Sequence, residues 1–134
     1  MKDFKTVFFF LRLPVAVSLL GHGLVRFPKL PAFSDWMIKT MEKSAIPEAL
    51  IVPFSYFLPV AEAVTGLLLL INIKTEYALY SALVLMSILI AGSCSIENWA
   101  AIEAQLLNSI YFFGLLWLYK RFGSKVNNDP VDGE

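Results

Sequence analysis

Cysteine and histidine are scarce in this sequence, which contains one residue of each type. Cys94 alone can form neither a disulfide within the chain nor a thiolate metal cluster. His22 alone can supply neither a pair of haem ligands nor a typical zinc site. The sequence also lacks a CxxC pair, a glycine-rich phosphate loop and an HExxH motif. It therefore predicts no metal site and identifies no catalytic residue.

Charge is also sparse, because Asp, Glu, Lys and Arg make up 16% of the 134 residues. Hydrophobic residues make up 57%, more than in an ordinary soluble domain. The net charge is zero, so nothing in the charge balance indicates a nucleic-acid partner. The apolar residues are concentrated in long blocks, and such uninterrupted length is what contact with lipid requires.

Four apolar blocks predict membrane-spanning helices over about residues 6–25, 50–73, 77–96 and 100–119. A helix of roughly 20 residues crosses a hydrocarbon core of about 30 Å. In a soluble fold, four helices that are hydrophobic on all sides would have nothing to cover them. The predicted fold is therefore an all-α, four-helix membrane bundle that forms one domain over residues 1–125. We expect residues 126–134 to be a disordered tail.

The first loop, over about residues 26–48, is the only long connection between the predicted spans. Ser34 is a plausible N-cap for a short amphipathic helix in this loop. Phe33, Trp36 and Met37 can share the apolar face of that helix. We expect it to lie at the membrane interface, although an ordinary connecting helix would fit the same pattern.

Four spans place both termini on one side of the membrane. Lysine and arginine residues near the termini favour a cytoplasmic location for that side. The chain is thus predicted to lie in a bacterial inner membrane with both termini in the cytoplasm.

Two ionisable residues fall inside the predicted spans, Arg12 in the first and Glu62 in the second. A charge at the bilayer centre costs about 2.5–3.5 kcal/mol on insertion scales, so each residue needs a partner or a function. Counting 1.5 Å per residue from the inner boundary puts the two at similar depths. We therefore predict an Arg12–Glu62 ion pair as a polar core within the membrane. The alternative is that Arg12 extends to the lipid head groups while Glu62 is protonated.

A second polar cluster is predicted near the outer boundary, where His22 lies between two glycines. A neutral imidazole can donate a hydrogen bond to a carbonyl, as binding a quinone head group would require. Alternatively, the histidine binds a polar group of the fourth span. The candidate ligand-binding residues are His22, Arg26, Tyr56, Trp99, Gln105 and Asn108. The candidate helix-packing residues are Gly21, Gly23 and Gly66, since glycine lets helices approach closely.

Two stretches, RLPVAVSLLGHGLVRF and PFSYFLPVAEAVTGLLLLI, make residues 8–119 resemble the DoxX family of small four-helix membrane proteins. The family is named after a subunit of a membrane thiosulfate:quinone oxidoreductase, and other members are associated with membrane redox complexes. The resemblance marks as family-motif positions Arg12, Gly21, His22, Gly23, Glu62 and Gly66. A lone cysteine argues against a dithiol mechanism here.

The sequence favours an accessory or stabilising subunit of a larger membrane complex over an autonomous enzyme, and the resemblance implies that the complex is redox-linked. The alternative is a quinone- or lipid-binding oxidoreductase subunit, in which quinone is the candidate cofactor. A weaker alternative is an oligomeric transporter of small solutes. The expected partners are membrane lipids and other subunits of the complex.

Overall fold

The computed structural model describes residues 2–123, which form helices joined by short connections. The helices are α1 (Lys2–Arg26), α2 (Leu30–Thr40), α3 (Glu48–Ile71), α4 (Thr75–Ser95) and α5 (Trp99–Leu118). A 3-10 turn at Phe27–Lys29 joins α1 to α2, and a π-helical turn at Tyr119–Gly123 continues α5. The tail predicted over 126–134 lies outside the described residues.

Within residues 2–123 there is no strand, and four helical segments are long and apolar enough to cross a membrane. They are centred on α1, α3, α4 and α5, and the first of them continues through α2 to Thr40. The prediction of an all-helical, four-span bundle is therefore confirmed, and the chain is an integral membrane protein. Large apolar side chains such as Phe10, Phe57 and Leu107 are exposed on the outside of the bundle, as contact with lipid requires.

Tight turns make α3, α4 and α5 antiparallel neighbours in sequence order. Asn72 ends α3 in the left-handed conformation (φ 59°), and its Oδ1 accepts a hydrogen bond from Thr75 Oγ1 at 2.7 Å. Asn98 caps α5, because its Oδ1 accepts from the backbone N–H of Ala101 at 3.2 Å.

Close packing of α1 against α3 depends on two glycines. A Cβ atom added to Gly23 would lie 2.5 Å from the backbone oxygen of Pro59, and one added to Gly66 would lie 2.8 Å from that of Ala16. No larger residue fits at either position without a shift of the backbone. Gly21 differs, because an added Cβ would meet nothing within 4 Å. The predicted packing role of Gly21 is therefore wrong for the described bundle: this position does not face another helix.

The helices α1 and α2 both pack against α3, at successive positions along it. Gly23 near the end of α1 contacts Pro59 at the middle of α3, whereas Ser34 of α2 accepts a hydrogen bond from Ser55 Oγ at 2.7 Å. The sequence predicted Ser34 as an N-cap, and this prediction is wrong. The helix begins four residues earlier at Leu30, where Pro31 in the first turn favours helix initiation. Ser34 therefore lies in the second turn of α2, where its side chain is buried against α3.

Two clusters of buried side chains form the core. The larger one joins α1, α3, α4 and α5 and includes Leu69, Leu79 and Phe112, each at most 2% exposed. The smaller one joins α2 to α3 and α4 through Met37, Leu58 and Leu85. The helix α2 is therefore part of the packed bundle.

Candidate functional site

An ion pair between Arg26 and Glu62 joins the end of α1 to the middle of α3. The guanidinium Nη1 of Arg26 donates a hydrogen bond to Glu62 Oε2. The side chain of Glu62 is 6% exposed and that of Arg26 is 24% exposed. Inside a membrane, pairing removes much of the cost of burying each charge separately.

Arg26 also contacts α2, because its guanidinium lies over the ring of Phe33 with 4.5 Å between Cζ and the ring centroid. Such a cation–π contact is worth more in a site that excludes water. Arg26 occupies the last turn of α1, where a positive charge interacts favourably with the helix dipole. One arginine side chain therefore connects α1, α2 and α3.

The predicted Arg12–Glu62 pair is wrong, because Glu62 binds Arg26 instead. Gly66 lies one turn after Glu62 and packs against Ala16, so Glu62 faces the end of α1. Arg12 precedes Arg26 by fourteen positions, which is about 21 Å along a helix. The prediction failed because it assumed that the start of the first span and the end of the second span lie at the same depth, whereas α1 and α3 pack in a different register.

Arg12 is nevertheless buried, with 7% of its surface exposed. Its guanidinium lies 5.5 Å from the ring centroid of Phe8 and 5.4 Å from that of Phe9. Its Nε has no hydrogen-bond partner among residues 2–123. Two aromatic rings of α1 therefore contact this charge, and no carboxylate of the described chain pairs with it.

A cavity of about 460 Å³, here named the Trp36 cavity, opens between α2, α3, α4 and α5 beside the ion pair. Its volume is within the range typical of small-molecule sites. Its apolar lining includes Phe33, Trp36, Met37, Met41, Ile51, Phe54, Leu58 and Leu89. Its polar lining includes Arg26, Glu62, Ser93, Asn98 and Gln105.

A smaller cavity of about 240 Å³, here named the His22 cavity, lies beside the same ion pair. His22 and Asn108 line it together with Ser18. Arg26, Glu62 and Gln105 line both cavities. The structure therefore brings together four of the predicted ligand-binding residues, His22, Arg26, Gln105 and Asn108, around Glu62.

Gln105 is held by a contact that the sequence did not reveal. Its Nε2 donates a hydrogen bond to Ser93 Oγ of α4 at 3.0 Å. Its Oε1 is buried and has no hydrogen-bond partner within the described chain. A buried acceptor without a donor costs free energy, so this oxygen is a natural position for a ligand that carries a donor.

Two predicted ligand-binding residues lie elsewhere. Tyr56 is 40% exposed and Trp99 is 63% exposed, and neither lines the Trp36 cavity or the His22 cavity. Tyr56 is six positions before Glu62, which puts it on a different face of α3. Trp99 is the first residue of α5, a position typical of an aromatic anchor at the membrane interface.

Sequence reasoning missed the parts that Phe33 and Ser93 play in this site. The available signal was the spacing of Ser18, His22 and Arg26 at steps of four, which identified a polar face on α1. That face ends at the ion pair of Arg26 and Glu62. Within residues 2–123 no group of three His, Cys, Asp or Glu side chains is arranged to hold a metal ion.

This arrangement of side chains is suited to binding, since it combines an apolar cavity with a few polar groups at a water-poor position. The ion pair fixes three helices around that cavity. The site can therefore recognise a molecule dissolved in the membrane or stabilise a particular arrangement of the helices.

Comparison with protein-family models gives a match to the methylamine utilisation protein MauE over residues 5–105. The match includes α1, α2, α3 and α4 and the beginning of α5. The DoxX resemblance inferred from the sequence is therefore incorrect, because the family model that matches describes a different membrane family. No curated protein and no solved structure matches the chain significantly. Because the matched region is well over half of its length, the chain belongs to the MauE family.

Proposed function

We propose that this protein is an accessory membrane component of a methylamine-utilisation system and not an autonomous enzyme. The observation that supports the proposal is the match to the MauE family model over residues 5–105. The description of that family names methylamine utilisation as the process that its members serve. In this accessory role, the protein assembles or stabilises other proteins of that process in the membrane.

The shape of the bundle supports a role inside the bilayer. The connections 72–74 and 96–98 are short, so little of the described chain extends beyond the membrane. Contacts with a partner protein would therefore be made largely by the membrane-facing helix surfaces. Exposed aromatic residues such as Phe57, Phe113 and Trp117 are available on those surfaces.

Deletion of the gene in its native host tests the proposal. We expect loss of growth when methylamine is the sole nitrogen source and normal growth on ammonium. Extraction in a mild detergent should recover the protein together with other methylamine-utilisation proteins. Normal growth on methylamine, with recovery of this protein alone, would contradict the proposal.

We also propose that the protein lies in the bacterial cytoplasmic membrane with both termini in the cytoplasm. The side that carries the termini has Lys2, Lys5, Lys74, Lys120 and Arg121 among the described residues. The opposite side has Arg26, Lys29, Lys39 and Lys43. The excess of positive charge supports a cytoplasmic location of the termini.

A second candidate function is the binding of a lipid or quinone within the membrane. The observation that favours it is the Trp36 cavity, whose apolar lining meets the ion pair of Arg26 and Glu62. This function is compatible with an accessory role, because a bound amphiphile can be part of a membrane complex.

A further inference from the structure

We infer that the Trp36 cavity binds an uncharged amphiphile, one whose apolar chain lies along α2 and α3 and whose head group carries a hydroxyl. The inference rests on the second candidate function and specifies the ligand. It combines three properties of the cavity: its apolar lining, the ion pair within it, and the acceptor atom of Gln105.

The apolar lining accounts for the chain of the ligand. Phe54 and Leu58 of α3 line the cavity together with Leu89 of α4 and Met41, the residue that follows α2. A flexible apolar chain can pack against these walls and bury its surface there. Methionine side chains adapt to different shapes of such a chain.

The ion pair accounts for the absence of charge on the head group. Glu62 is already bound by Arg26, and the guanidinium also stacks on Phe33. A cationic head group would compete with Arg26 for the carboxylate, and an anionic head group would compete with Glu62 for the guanidinium. Either would leave one buried charge without its partner.

The side chain of Gln105 accounts for the hydroxyl. Its Nε2 donates to Ser93, which leaves Oε1 as a buried acceptor that lacks a donor within the described chain. A hydroxyl in the cavity would supply that donor, whereas an ether of the same size would not. The site should therefore discriminate between two ligands that differ only in this hydrogen.

Photolabelling in lipid nanodiscs tests the inference. The probe is a dodecan-1-ol that carries a diazirine in its chain, and the matched control is its methyl ether. We expect saturable labelling of residues in the Trp36 cavity by the alcohol, and at least about tenfold weaker labelling there by the ether. Labelling of the lipid-facing surfaces should be similar for the two probes and should not saturate.

Two variants and a control connect the labelling to the site. Gln105→Leu should reduce the preference for the alcohol over the ether to about one, because it removes the acceptor. Gly92→Leu should abolish labelling of the cavity, since a Cβ at this position meets only the Met41 side chain at 3.7 Å and a longer side chain would occupy the cavity. Ser109→Ala, on the same helix as Gln105 but outside both cavities, should leave the labelling unchanged.

Competition identifies the source of the hydroxyl. Displacement of the probe by dioleoylglycerol indicates a membrane lipid, and displacement by decylhydroquinone indicates a quinol. Equal labelling of the cavity by alcohol and ether, or labelling that Gly92→Leu does not change, would overturn the inference. The accessory role is tested separately, because growth on methylamine and recovery of partner proteins do not depend on the probe.

Discussion

Arg26 and Glu62 are thirty-six positions apart in the sequence, yet their side chains form an ion pair. The sequence identified Glu62 as an intramembrane charge that needs a partner, because an isolated charge there is costly. It could not identify which arginine is the partner. The identity of the partner depends on the register in which α1 packs against α3. The close contacts of Gly23 and Gly66 determine that register.

A double-mutant cycle distinguishes the two arginines. Glu62→Leu should lower the free energy of unfolding by about 3–5 kcal/mol, since Arg26 is left without its carboxylate. The double variant Arg26→Leu/Glu62→Leu should be more stable than the sum of the single effects predicts, with a coupling of about 0.5–3 kcal/mol.

The matched control is the cycle between Arg12→Leu and Glu62→Leu, whose effects should add within about 0.5 kcal/mol. Reversible unfolding in mixed detergent micelles, followed by circular dichroism, provides the measurement. Strong coupling of Arg12 and none of Arg26 would show that the ion pair is assigned incorrectly.

The contact between α1 and α3 predicts a cost for a single methyl group. Gly66→Ala should destabilise the bundle by about 1–3 kcal/mol, because the added Cβ overlaps the backbone of Ala16 and Leu20. Gly114→Ala in α5 is the control, since a Cβ there meets nothing within 4 Å. The same unfolding assay measures both variants, and equal stability of the two would argue against the close contact.

At the scale of helices, the existence of α2 could be predicted but its position could not. The helical spacing of the apolar residues Phe33, Trp36 and Met37 indicated a short helix in the first loop. Ser34 looked like a cap because serine favours that position, whereas tertiary packing places it against Ser55 in the interior. Local propensity therefore located the helix, and contacts with α3 determine which of its faces is buried.

Removing the hydroxyl of Ser34 should loosen α2. Ser34→Ala eliminates the hydrogen bond with Ser55, and we expect a loss of about 1 kcal/mol and faster amide exchange in residues 30–40. Hydrogen exchange with mass spectrometry in nanodiscs measures the change. Thr40→Ala is the control, because Thr40 Oγ1 donates to Trp36 within the same helix. Unchanged exchange in Ser34→Ala would show that this contact does not hold α2 in place.

At the scale of the whole molecule, four spans followed directly from the lengths of the apolar blocks. The family assignment was less secure, since Gly-His-Gly and a proline three positions before Glu62 are short features that different membrane families can share. The Trp36 cavity was not predicted, because it is lined by residues from five helices whose relative positions no local pattern specifies. Sequence alone thus defined the architecture and some of the polar residues of the site.

Cysteine labelling tests the proposed orientation. Cys94→Ser removes the native thiol, and the two turns then receive one cysteine each, as Glu97→Cys or Ile73→Cys, both at exposed positions. In intact spheroplasts, a membrane-impermeant maleimide should label Glu97→Cys but not Ile73→Cys. Permeabilisation should make both reactive, which controls for thiol reactivity. The reversed pattern would contradict cytoplasmic termini.

The position of the ion pair also has a consequence for how the protein is made. Both of its charges belong to the first 62 residues, so they are synthesised before α4 and α5. Glu62 can therefore enter the bilayer already neutralised by the preceding helix, as part of a hairpin of α1 and α3. The later helices are then added to an inserted unit that contains no unpaired acidic group at its centre. Because Arg26 precedes Glu62 in the chain, the positive partner is already present when the acidic residue is inserted into the bilayer.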